Sequence, residues 1–182
     1  CVPYEGDEFY VMKTQVTQQL WKTITNQNPS HFKGDDLPVE NVSWFDCIIF
    51  ANLLSEILGL EKVYEIPKGM EETCRRQKDY CDTKLDGYAP HIKIKKRANG
   101  YRLPTELEWE YAAKGSENCT YSGSNDLDEV AWYGENSRQT NIVGQKKSNG
   151  YGLHDISGNV YEWCFDSYES SSRILRGGGW VS

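Results

Sequence analysis

Apolar and polar positions follow two different periods along this chain, and the change from one to the other comes early. Phe9-Tyr10-Val11-Met12-Lys13-Thr14 has the aromatic and β-branched content of a strand. From Val16 the spacing turns helical: Thr17 stands at an N-cap position, and Leu20, Trp21 and Ile24 share one face. Asn28-Pro29-Ser30 should end that helix, with a loop at Gly34-Asp35-Asp36. A second helix is expected from Ser43, where Ser43 and Asp46 have the spacing of a capping box. Phe50, Leu53, Leu54 and Ile57 then form its inward stripe, and Gly59 stops it. A third opens behind Pro104: Thr105 and Glu108 make the same box, Leu107, Tyr111 and Ala112 face one side, and Gly115 ends the run.

Elsewhere the pattern is shorter in range. Residues 63–66 and 92–96 read as strands on either side of a charged, turn-rich excursion over 67–86. Lys93-Ile94-Lys95-Lys96-Arg97 reads as an exposed strand edge, where cations discourage pairing with another chain, rather than as a polyanion site. Beyond Cys119 no helical period persists. Tight turns at 149–152 and 155–159 feed a short strand, Val160-Tyr161-Glu162-Trp163, and Arg173-Ile174-Leu175-Arg176 is another before Gly177-Gly178-Gly179-Trp180. The reading is an α+β chain with a few helices, short antiparallel strands and many loops, in one domain over residues 1–182.

Composition sharpens this picture. The 182 residues suffice for one sizeable core, yet only 38% are apolar while 13% are aromatic. Six Trp and twelve Tyr bury large rings and keep a polar edge for a partner, which suits an irregular, loop-rich fold. A net charge of −7 disfavours a nucleic-acid or anionic-membrane surface. No run of about 18 apolar residues occurs that could cross a membrane as a helix. None of the six cysteines forms a Cys-x-x-Cys pair and the histidines, His31, His91 and His154, are scattered, so no zinc signature exists. Cys74 and Cys81 flank a polar segment that a disulfide could close. Cys1 has two readings: the residue that a processed bacterial lipoprotein keeps and lipidates, which implies the cell envelope or surface, or a mere boundary, which leaves the cytoplasm open.

Four blocks together resemble the formylglycine-generating-enzyme and sulfatase-modifying-factor family. They are Val16-Thr17-Gln18 with Pro38-Val39-Glu40-Asn41-Val42-Ser43-Trp44; the run from Gly100-Tyr101-Arg102-Leu103-Pro104-Thr105-Glu106 to Ala113; Asn149-Gly150-Tyr151-Gly152-Leu153-His154-Asp155 leading into Ser157-Gly158-Asn159-Val160-Tyr161-Glu162-Trp163; and Arg176-Gly177-Gly178-Gly179-Trp180. The resemblance implies a C-type-lectin-like fold. Within these blocks Trp109 and Tyr111 read as core bulk, and Arg102 as the partner of one of Glu106, Glu108 or Glu110.

The resemblance also implies a calcium site, formed by side-chain oxygens of Asp155 and Glu162 with the main-chain carbonyls of Gly158 and Val160, a donor set that calcium accepts. The residues alone equally allow Asp155 and Glu162 to hold the turn by backbone hydrogen bonds without metal. A second calcium site of the family is not carried over, because only Arg138 and Gln139 separate Ser137 from Thr140. The family's enzymes place two copper-binding cysteines after the Arg-Gly-Gly-x-Trp block. Here Ser182 follows almost at once, so the domain's carboxyl-terminal end is expected to be missing, no copper site is visible and no catalytic residue is assigned. Two functions follow. One is a non-enzymatic binding protein that displays a variable carboxyl-terminal surface to an unknown protein or surface ligand, as retroelement-diversified variable proteins do. The other is a copper oxidase of the formylglycine-generating type, or a related non-haem-iron enzyme, with its active residues beyond Ser182. The binding reading is preferred, and residues 1–182 are not expected to convert cysteine to formylglycine, since copper(I) needs a soft sulfur pair.

Overall fold

A computed structural model of the chain describes residues 2–4, 7–69, 91–169 and 172–182. Cys1, Cys74, Cys81 and most of the 67–86 excursion lie outside these residues. The large side chains meet around one helix, α2, Trp44–Ile57, preceded by α1, Gln18–Thr25, and followed in sequence by α3, Glu106–Lys114, and a short α4, Leu127–Val130. The strands pair in twos: β1, Val2–Tyr4, with β2, Asp7–Phe9; β3, Tyr64–Glu65, with β4, Lys93–Ile94; β5, Ala131–Trp132, with β6, Ser157–Gly158; β7, Glu162–Glu169, with β8, Ser172–Arg176. Three pairs are antiparallel and β5–β6 is parallel. The α+β, loop-rich class read from the sequence is the observed one.

The caps form as their spacing dictates. Thr17 Oγ1 accepts from Leu20 N at 3.3 Å, and Ser43 and Thr105 each exchange bonds with the acid three residues on. The first helix stops sooner than expected, at Asn26, whose left-handed φ of 58° ends it before the proline is reached. The inward stripe of α2 is wider than its period suggested. Trp44, Phe45, Ile48, Ile49, Phe50, Ala51 and Leu54 are all buried, whereas Ile57 is 61% exposed. The cause is packing on both sides: Trp21 stacks on Phe50 at 4.6 Å from one flank, while Val63, Tyr64 and Ile92 cover the other. Leu107, placed inward by its spacing, is 63% exposed; α3 instead buries Ala112 against Leu153 and Ile156. Residues 10–14 are not a strand, since pairing ends at Phe9, and Lys13 O accepts an irregular bond from His154 N. The last strands begin at Glu162 and Ser172 rather than at 160 and 173, and the 93–97 cations are exposed, as expected.

Polar side chains pin the loops to this core. Asn52, buried in α2, donates to Tyr64 O and accepts from Tyr64 N, which fixes β3. Ser55 Oγ accepts from Tyr101 N at 2.8 Å, and Gly100 passes so close to Glu61 that a Cβ would stand 2.1 Å from its carbonyl oxygen. Arg102 pairs with Glu108, through Nη1–Oε2 at 2.6 Å and Nη2–Oε1 at 2.7 Å. Burial raises the Glu108 carboxyl, but the bonds from Arg102 and Thr105 outweigh it and hold it below the ordinary carboxylate range.

Glu108→Gln keeps an acceptor for the cap and removes the charge, so it should cost about 1 kcal/mol in urea denaturation at neutral pH. A depressed folded pKa gives stability that is complete above the unfolded value of about 4 and is lost as pH falls through the folded value. The gap between parent and variant should therefore close on acidification. A gap that stays constant with pH would assign the effect to cap geometry instead.

Candidate functional site

Residues 155–162 fold back repeatedly, with Asp155, Gly158 and Asn159 at φ of 59°, 81° and 63°. Gly158 is required where it stands: a Cβ would lie 2.4 Å from Trp132 O in the adjoining β5. These reversals bring oxygens to one point. Around Gln15 Nε2 lie Val160 O at 2.9 Å, Asp155 O and Glu162 Oε1 at 3.0 Å, and Gly158 O at 3.4 Å. A side-chain amide has two hydrogens, so four oxygens share fewer donors than they can accept. Gln15 Oε1 and Asp155 Oδ1 are buried with no hydrogen-bond partner.

The electrostatics carry the same deficit of positive charge. Burial pushes the Glu162 carboxyl up to about 7, even though Trp109 Nε1 donates to Oε2 at 2.7 Å and Gln15 donates to Oε1; the Asp155 charge adds to the rise. Burial likewise raises Asp155, against the bond from Gly144 N to Oδ2 at 2.6 Å. A desolvated Glu162 carboxyl and three converging carbonyls fit a hard cation, which takes such oxygens as ligands. Turning the Gln15 amide over would exchange its hydrogens for one more oxygen. Among the described residues no group of three or more His, Cys, Asp or Glu side chains could hold a metal ion, so any site here depends on carbonyls.

All four residues singled out from the sequence, Asp155, Gly158, Val160 and Glu162, thus reach one centre. Asp155 does so through its main-chain carbonyl, while its carboxylate turns to Gly144. Gln15 was not singled out, because a polar residue just ahead of a helix start carries no signal of burial. Trp109 is more than core bulk, since its indole N–H holds the Glu162 carboxylate.

The same turn forms the back of a groove of about 560 Å³, lined by His31, Phe32, Glu40, Tyr161, Trp163 and Trp180 among others. Val160 belongs to both places, with its carbonyl at the oxygen centre and the residue at the groove wall. Asn159, fully buried, accepts from Asn141 N and donates to Asn141 O, and its own carbonyl accepts from Trp180 N at 2.9 Å. Opposite, Gln18 holds the 28–38 loop by donating to Phe32 O and Pro38 O and accepting from Asn28 and Gly34. Phe32 packs edge-on against Trp180 at 5.5 Å, which joins the two walls.

The family described as sulfatase-modifying factor enzyme 1-like domain matches residues 3–182. A Paenibacillus barcinonensis protein named chaperone protein LppX is 42% identical over 202 aligned residues, spanning 96% of this chain and 70% of its own. Treponema denticola variable protein 1 superposes with a TM-score of 0.79 at 36% identity, over 92% of this chain and 72% of that one. The formylglycine-generating enzyme of Mycobacterium tuberculosis is 37% identical over 90 residues, only 41% of this chain and 30% of the enzyme.

Gln15→Leu removes the side-chain donor that, among the described residues, reaches all four oxygens. It should lower stability by about 2–4 kcal/mol in chelator, the cost of burying polar groups without partners, as read by urea denaturation. A loss of under about 0.5 kcal/mol, the usual size for an exposed position, would show that the amide does not hold the turn.

Proposed function

The chain belongs to the sulfatase-modifying factor enzyme 1-like family, and from that premise we propose that it is a non-enzymatic binding module. Its ligand seat is the aromatic groove between the 28–42 and 159–181 segments. The observation that carries this reading is the double use of Val160, whose carbonyl faces the oxygen centre while the residue lines the groove wall in front of it. A cleft of this size with few polar groups matches the usual form of a small-ligand site. The likeness to a variable protein supports display on a fixed frame, because exposed loop changes cost such a frame little.

Calcium at the oxygen centre belongs to the same proposal. Gly158 O, Val160 O, Asp155 O and Glu162 Oε1 would hold it, with Gln15 Oε1 after the amide turns. The ion would supply the positive charge that these oxygens lack. The chain's own residues do the rest: Trp109 orients the Glu162 carboxylate, Gly144 N–H orients Asp155, and Gly158 lets the turn close against Trp132.

The relative named as a chaperone favours a second reading of the groove, as a seat for an apolar segment of another protein. The oxidase reading gains nothing from the described cysteines. Cys164 is buried in β7 with its thiol pushed up to about 12 by burial, so it packs as a thiol rather than reacting as a thiolate. A protein or surface ligand and an envelope location complete the proposal, and the acidic balance disfavours nucleic acid.

Fragment screening against ¹⁵N-labelled protein should give shifts that cluster at Trp163, Trp180 and Asn41, in the groove. Hits scattered over the surface with none there would remove the groove as a ligand seat. Thermal melts in calcium should exceed those in chelator, since a ligand that binds only the folded state stabilises it, and an Asp155→Ala/Glu162→Ala double variant should lose that response. An unchanged melting point over a wide calcium range would leave the hydrogen-bonded turn alone.

A further inference from the structure

We propose that the ligand of this groove carries an alkylated ammonium group of the kind found in choline; this rests on the binding reading above and adds the ligand's chemical class. The groove offers five rings, His31, Phe32, Tyr161, Trp163 and Trp180, and one carboxylate, Glu40, with no lysine or arginine among its lining residues. Ring faces are negative, and they attract a cation that need not be hydrogen-bonded. The rings stand as walls set at right angles: His31 to Phe32 at 83° and 4.8 Å, Phe32 to Trp180 at 84° and 5.5 Å. Walls at right angles enclose a round group better than a flat one.

Two of the polar ring edges, those of Trp163 and Tyr161, are already engaged. Trp163 Nε1 donates to Val42 O at 3.1 Å, the Tyr161 hydroxyl bonds Ser182 Oγ at 2.8 Å, and both ends of the Asn159 amide are held by Asn141. The groove is lined mainly by carbon surface and π faces. A phosphate would meet no lysine or arginine here, and a primary ammonium would want three acceptors. A methylated ammonium has no such demand. Glu40 supplies the counter-charge: Oε1 accepts from Phe32 N at 2.9 Å, and the residue has no ion-pair partner among the described residues. The net charge of −7 draws a cation toward the site.

The test compares choline with 3,3-dimethylbutanol, which has the same shape with carbon in place of nitrogen. Each is added to ¹⁵N-labelled protein while the indole N–H resonances of Trp163 and Trp180 are followed. Choline should give a saturable shift, and the neutral alcohol should bind roughly tenfold more weakly. Glu40→Gln keeps the oxygen that the Phe32 N–H uses, so it should weaken choline several-fold and leave the alcohol unchanged. Equal affinity for the two compounds would overturn the ammonium assignment and keep an apolar ligand groove. A response to neither, with fragments still seating in the groove, would overturn it as well. If no fragment seats there either, the binding reading falls with it.

Discussion

Four oxygens that face one another inside a protein repel unless something positive lies between them, and much of this site follows from that requirement. The turn over 155–162 aims the carbonyls of Asp155, Gly158 and Val160 and the Glu162 carboxylate at one point, and the Gln15 amide stands there. An unpaired buried polar group costs as much as the hydrogen bond it has lost, so the amide and the turn are mutually dependent. Gln15 lies just before α1, and the turn lies far along the chain. The pairing therefore ties the segment ahead of the amino-terminal helix to the last strands.

The groove inherits its shape from this tie. Its back wall is the same turn, its floor is held by Asn159 between Asn141 and Trp180, and its front is the 28–38 loop that Gln18 staples from α1. Trp163 and Tyr161 are held by hydrogen bonds at their edges, and Phe32 and Trp180 by an edge-to-face contact, so a ligand seated as proposed would meet a formed surface and lose little to ordering side chains. This division of labour sets a polar knot beneath and aromatic faces above. On the binding reading, replacing an exposed ring would change what binds, whereas replacing Gln15 or Gly158 would change whether the wall exists.

Much of the fold was legible because its signals are local. Thr17, Ser43 and Thr105 announce their helices through side chains that act within three residues, and all three cap as expected. The faces were harder to read. The α2 stripe was drawn too narrow because a helix packed on both sides has no single apolar face, and Leu107 was turned the wrong way because a nine-residue helix gives the period few turns to declare itself. At the site, Asp155, Gly158, Val160 and Glu162 could be named, since they are close in sequence and carry a family pattern. Gln15 and Trp109 could not be given their roles. Their partners lie across the fold, and nothing in a glutamine or a tryptophan says which distant oxygen it will meet.

The central claim is that one side-chain amide holds these oxygens together, and the Gln15 Hε2 protons report on it most directly. Their exchange with solvent can be followed by ¹⁵N NMR in chelated protein and again with calcium. The account requires slow exchange and separate, shifted resonances for the two protons in chelator. Calcium bound as proposed would move these resonances, as the nitrogen leaves the centre and the oxygen takes its place. Fast exchange in chelator, with a Gln15 amide that resembles those of surface glutamines, would contradict it.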